Sequence, residues 1–69
     1  MLNGLIVIGV TDYQAAVEYG GNEYQNRYGV PPTMVALPAS VDPATLDLWT
    51  LELSAQPAPA GCVMIGVGA

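Results

Sequence analysis

Residues 61–69 read GCVMIGVGA, and none of these nine side chains is polar. The same order, a glycine followed by three apolar residues and Ile-Gly-Val, recurs in residues 4–10, GLIVIGV. Short apolar runs bounded by glycine are typical of strands buried on both faces. We therefore predict two similar strands in one sheet, over residues 5–8 and 62–67. We expect the second to form sheet hydrogen bonds and to have at least one face covered by another subunit or a host protein.

Working outward from these strands, the sequence predicts two short helices, over residues 12–19 and 23–28. Thr11 begins a capping-box pattern with Gln14 three residues later, and Asn22 is a second, weaker N-cap candidate.

Glycine supports this division of the helical segment. Gly20 and Gly29 stand where glycines commonly end helices. One continuous helix is the alternative, but the adjacent Gly20 and Gly21 would each cost about 1 kcal/mol relative to alanine.

The second half of the chain predicts a strand, a helical turn and an ambiguous segment. Residues 33–37 form an apolar run ended by Pro38, whereas Asp42 and Pro43 fit the cap and first position of a helical turn. Residues 46–53 fit neither the helical nor the strand period, and we favour one helical turn followed by a strand. That strand would form a long-loop hairpin with the strand at 62–67. If 46–53 is instead a helix, 62–67 becomes a parallel strand of a βαβ unit.

These elements indicate a small single α+β domain over residues 1–69, with a three- to four-stranded sheet and one or two short helices. A βαβαβ three-layer half-unit is the alternative. A chain of 69 residues has marginal stability alone, and the usual reinforcements are disulfides, a metal or other chains. With one Cys and no His, association is the reinforcement left. Asp, Glu, Arg, Asn, Gln, Ser and Thr together number only 19 of the 69 residues, so we expect a homo-oligomer or a subunit docked on a larger assembly.

Charge excludes several classes of partner. The formal net charge is −5, and Arg27 is the only basic residue. Nucleic acids and anionic membrane surfaces are bound through many Lys and Arg side chains, so we expect neither as a partner. No run approaches the roughly 20 apolar residues of a membrane span, and the basic start of a signal peptide is missing. We expect a protein of the cytoplasm, or of a particle assembled there, that no signal peptide directs to secretion.

Catalytic groups are scarce. Ser40 and Ser54 have no His or Lys to act as base, and Cys62 lacks the basic neighbours that activate a thiol. The six carboxylates are scattered and match no metal-binding motif. Residues 66–69, GVGA, resemble the opening of a glycine-rich dinucleotide loop, but we expect no nucleotide site because no helix follows them here. We therefore expect no catalytic residues, no metal, no cofactor and no enzymatic activity.

Aromatic and apolar residues are the remaining candidates for function, because tyrosine and tryptophan are enriched at the centres of protein interfaces. For the tyrosines, packing in the protein's own core is the competing interpretation. Our interface candidates are Tyr13, Tyr24, Tyr28, Trp49, Val63, Met64, Ile65 and Val67.

The favoured functional hypothesis is a non-enzymatic structural or assembly subunit, such as a small decoration or accessory protein of a virus-like particle or other polymer. Its partner would be itself or a host protein assembly. One alternative is a small acidic regulator or inhibitor that binds one partner protein. The other is an oligomeric enzyme or ligand binder with its site at subunit boundaries.

Overall fold

A computed structural model of the protein describes residues 2–68. It contains one α-helix and a four-stranded mixed sheet, which confirms the predicted α+β class. In chain order the elements are strand β1 (Leu2–Val7), helix α1 (Tyr13–Tyr28), strand β2 (Met34–Ala36), a 3₁₀ turn (Pro43–Thr45), strand β3 (Glu52–Leu53) and strand β4 (Val63–Gly68).

The strands are ordered β1-β4-β2-β3 across the sheet. Strand β4 is antiparallel to both β1 and β2, and β3 is parallel to β2. Strands β1 and β2 therefore run in the same direction, are connected through α1, and have β4 inserted between them, which is a split β-α-β arrangement. The prediction that residues 62–67 form sheet hydrogen bonds is confirmed, since β4 has a strand on each side.

The predicted hairpin between residues 46–53 and 62–67 is wrong. Both edges of β4 are already paired, so β3 lies beside β2 instead. Glu52 N–H donates to the Thr33 carbonyl at 2.9 Å, and Ser54 N–H donates to the Val35 carbonyl at 2.8 Å. The three-layer alternative is not observed in residues 2–68, where the one α-helix packs on one face of the sheet.

Residues 46–53 contain a strand, Glu52–Leu53, but no helical turn; the turn, Pro43–Thr45, lies before this segment. The Asp42 carboxylate accepts a hydrogen bond from Ala44 N–H at 3.0 Å and caps the 3₁₀ turn, in which Pro43 is the first residue. The cap prediction for Asp42 is confirmed, although the turn is of the 3₁₀ type.

The prediction of two helices is wrong, because α1 is continuous through the glycine pair. Its N-cap is Asp12, whose carboxylate accepts from Ala15 N–H at 3.2 Å, rather than Thr11. Its C-cap is Gly29, as predicted, with a φ of 76° and an N–H that donates to the Gln25 carbonyl at 2.8 Å.

Gly20 lies inside α1 because it allows the helix to approach the sheet closely. A Cβ atom placed on Gly20 would lie 3.3 Å from the Cγ2 atoms of both Ile65 and Val7. Burial of apolar side chains in this contact offsets the low helix propensity of glycine. Gly21 points away from the sheet, and a Cβ there would meet no atom within 4 Å.

The core lies between α1 and one face of the sheet. Its fully buried side chains are Val17 of α1, Val35 of β2, and Val63 and Ile65 of β4. Ala16, Tyr24 and Leu37 complete the buried cluster. Since β4 contributes two of the four fully buried side chains, the core is centred on that strand.

Strands β1 and β4 make their closest contact at two glycines. Gly4 is paired with Gly66 in the antiparallel register. A Cβ on Gly4 would overlap the carbonyl oxygen of Ile65, and a Cβ on Gly66 would overlap the carbonyl oxygen of Asn3. Backbone atoms of a paired strand cannot move aside as a flexible side chain can, so this contact requires glycine on both strands.

We predict that Gly66→Ala lowers the free energy of unfolding by about 2–3 kcal/mol, because the new methyl group forces β1 and β4 apart. Gly21→Ala is the matched control, and we expect it to stabilise α1 by about 0.5–1 kcal/mol. Urea denaturation of both variants at one protein concentration measures the difference. Equal stability of the two variants would contradict the close contact.

Candidate functional site

The face of the sheet opposite α1 consists of apolar side chains and glycines. Side chains alternate between the two faces along each strand, so the residues that do not face α1 follow from the register. We call this surface the open face, formed by Leu2, Gly4, Ile6, Met34, Ala36, Met64, Gly66 and Gly68. Across β1, β4 and β2 it carries no polar side chain, and Glu52 of β3 lies at its border.

The exposed apolar area on this side is greatest at β1. Ile6 is 50% exposed, and Ile8, which follows the strand, is 73% exposed. In contrast, Ala36 and Gly66 nearer the middle of the sheet are buried. The expectation that residues 5–8 are buried on both faces is therefore wrong for this chain by itself, because β1 is at the edge of the sheet.

A groove of about 300 Å³ runs beside the edge of β1. One wall consists of residues 5–8, and the other consists of Tyr19, Glu23 and Arg27 of α1. These three helical residues are spaced by four, so they form one stripe along α1, which we call the 19-23-27 stripe. Tyr19 is 59% exposed. The groove thus combines exposed apolar side chains with one carboxylate and the chain's one guanidinium group.

A second surface, on the other side of the molecule, contains Trp49. This side chain is 60% exposed, and its φ of 51° is in the left-handed region that side chains other than glycine rarely adopt. It borders a cleft of about 290 Å³ that Pro31, Pro32 and α1 residues also line. An exposed tryptophan on strained backbone requires support from its surroundings.

Gln14 supplies that support through Asp47. Its side-chain amide donates to the Asp47 carbonyl at 3.0 Å and accepts from Asp47 N–H at 2.8 Å. The Asp47 carboxylate in turn accepts from Trp49 N–H at 3.0 Å. The residue that the capping-box prediction assigned to the start of α1 therefore holds a loop that lies 33 residues further along the chain.

The three tyrosines among the interface candidates occupy different environments. Tyr24 is in the core, 6% exposed, and Tyr28 is 52% exposed with its ring centroid 4.6 Å from that of Tyr24. Tyr13 is half-buried, and its hydroxyl accepts a hydrogen bond from Gly61 N–H at 3.2 Å. Only Tyr28 of the three presents a largely exposed ring.

The four candidates in β4 divide between the two faces of the sheet. Val63 and Ile65 are fully buried in the chain's own core, so they leave no surface for a partner. Val67 is partly buried against that core, whereas Met64 is half-buried on the open face.

Three exposed residues of the β1 side, Ile6, Ile8 and Tyr19, were not among the sequence candidates. Strand alternation brings Ile6 and Ile8 to one face. Their exposure depends on β1 being an edge strand, which the local sequence does not specify.

Three of the six carboxylates serve local structure. Asp12 and Asp42 cap helical turns, and Asp47 supports the Trp49 loop. Within this part of the chain, no three Cys, Asp or Glu side chains come close enough together to hold a metal ion. Likewise, no helix between residues 2 and 68 has the length and apolar character needed to cross a membrane.

Comparison with known proteins gives no relative: no family model, curated protein or solved structure matches this chain. Functional inference therefore rests on the open face, the groove beside β1 and the Trp49 loop.

We predict that Gln14→Ala lowers the free energy of unfolding by about 1 kcal/mol and increases the mobility of Trp49, because it removes both hydrogen bonds to the Asp47 backbone. Urea denaturation and tryptophan fluorescence anisotropy measure the two effects. Asn26→Ala, which removes an exposed side-chain amide from the same helix away from the Trp49 cleft, is the control and should leave Trp49 unaffected. Equal anisotropy in the two variants would show that Gln14 does not hold the loop.

Proposed function

We propose that this protein is a non-enzymatic assembly subunit that contacts other protein chains through its open face and the adjoining edge of β1. The observation that carries the proposal is the apolar character of that face, which has no helix over it and no polar side chain on three of its four strands. Soluble monomers rarely expose contiguous apolar patches larger than a few hundred Å², and patches of that size mark interaction sites. The exposed Ile6 and Ile8 support the proposal on this ground.

The composition supports the same proposal. Hydrophobic residues make up 52% of the chain. The one α-helix of residues 2–68 covers one face of the sheet, and this part of the chain has no second α-helix to cover the other face. Burial of a large aliphatic side chain contributes about 1.5–3 kcal/mol, so covering Ile6 and Ile8 would stabilise both the fold and the complex. We propose a small accessory or decoration component of a larger particle or polymer, acting in the cytoplasm or in a particle assembled there.

The partner class follows from the available chemistry. The chain has one arginine and six carboxylates, so its surface cannot neutralise the phosphate charges of nucleic acids or anionic membranes. The proposed partner is therefore a protein. That protein is a copy of this chain, a host assembly, or first a copy and then a host assembly.

We predict a native mass above the 7.2 kDa of one chain, measured by sedimentation velocity over a range of concentrations. Ile6→Lys should reduce this mass, because it places a charge in the middle of the interface while its side chain remains half-exposed in the single chain. Val30→Lys is the control, since Val30 is 52% exposed but follows α1 rather than lying on the sheet.

A single-chain mass at every concentration would contradict self-association and leave a host assembly as the partner that the proposed function requires. Equal loss of mass in the two variants would contradict the assignment of the interface to the β1 side of the sheet. Circular dichroism of each variant separates loss of assembly from loss of fold.

A further inference from the structure

We propose that the first partner of this chain is a second copy of itself, which adds antiparallel along the free edge of β1 and joins two four-stranded sheets into one. This inference rests on the proposed function, because it names the partner that an assembly subunit binds first. Three observations support it: the unprotected edge of β1, the symmetry of antiparallel pairing, and the charges of the 19-23-27 stripe.

The two edges of the sheet differ in their protection against strand addition. Proteins protect exposed edges with short strands, charged side chains, proline or covering segments. The β3 edge has two residues, one of which is Glu52. Strand β1 has six residues, LNGLIV, with neither a charge nor a proline among them. The longer edge is therefore the one whose backbone groups are open to a new strand.

Antiparallel pairing of β1 with its own copy is compatible with the packing of each chain. Residues directly opposite each other in an antiparallel pair point to the same face of the sheet. Rotation by a two-fold axis perpendicular to the sheet therefore leaves both helices on one face and both open faces on the other. The two α1 helices then lie side by side in opposite directions, and the grooves beside the two β1 strands meet.

The charges of the 19-23-27 stripe are complementary to those of its own copy. In a two-fold interface, each contact is repeated with the roles of the chains exchanged. Glu23 of one chain can thus meet Arg27 of the second copy, and Arg27 of the first chain can meet Glu23 of the second.

This complementarity matters because the chain as a whole opposes self-association. Its net charge is −5, and Arg27 is its only basic residue. The groove beside β1 is lined by one carboxylate and that one guanidinium, so it is locally neutral. Two copies can approach each other through this surface without the repulsion expected between their remaining carboxylates.

Charge reversal tests the proposal. We expect Glu23→Arg and Arg27→Glu each to weaken the dimer about tenfold or more, since each replaces two opposite-charge contacts with two like-charge contacts. The double variant, Glu23→Arg with Arg27→Glu, restores the complementary pairs and should return to within about threefold of the original dissociation constant. Sedimentation equilibrium measures the constants, and circular dichroism verifies the fold.

Glu18→Arg is the matched control. Glu18 is exposed on α1 but borders the Trp49 cleft rather than the groove beside β1. Glu18→Arg and Glu23→Arg change the net charge equally. An effect of net charge alone would strengthen association in both variants, whereas the proposed interface is weakened only by Glu23→Arg.

Each outcome supports or overturns a defined part of the proposal. A multimer that neither single reversal weakens, or that the double variant fails to restore, overturns the paired β1 edges and leaves the assembly function intact. A single-chain mass for the original protein, together with no binding to a host protein, overturns both. Association only with a different host protein overturns the choice of a second copy while retaining the assembly function.

Discussion

The backbone contact between Gly4 and Gly66 is the constraint on which the arrangement of the sheet depends. It brings β1 against one side of β4 at a distance that no side chain permits. The other side of β4 is paired with β2, so β4 has a hydrogen-bonded strand on each side. Strand β1 therefore becomes an edge, and α1, which connects β1 to β2, has to cross over β4 on a single face. The core, the open face and the groove all follow from this placement.

Local sequence patterns predicted the elements better than they predicted their neighbours. The strand over residues 62–67, the strand near residues 33–37 and the turn capped by Asp42 depend on short apolar runs or on one capping side chain, and all three are present. The pairing of residues 46–53 depends on which strands pair with the two edges of β4. A short window of sequence does not contain this information, because the partners of β4 are distant in the chain. Similarly, Gly20 predicted the end of a helix from its residue type alone. In the structure it lies within α1, because a glycine is needed where the helix contacts Ile65 and Val7.

The candidate site was predictable in residue type and only partly in position. Trp49 is exposed as an interface residue should be, and Gln14 and Asp47 explain how its loop is held. Val63 and Ile65 have the same apolar character but face α1, where the core buries them. Ile6 and Ile8 are no more apolar than these residues and yet are exposed. The difference is set by strand order and by the side of the sheet that α1 covers, both of which are non-local.

In the proposed mode of assembly, two copies first pair along the edge of β1, and the open face then binds further partners. A two-fold contact along β1 uses the same edge in both chains and closes at two copies. The outer edges of the joined sheet would then be the two β3 strands, which are short and carry Glu52, so further strand addition is disfavoured. Pairing along β1 lengthens the open face without covering it, because the helices lie on the opposite side. Growth beyond two copies, or attachment to a host particle, must therefore use that face, where Ile6 and Met64 of both copies would form one apolar surface.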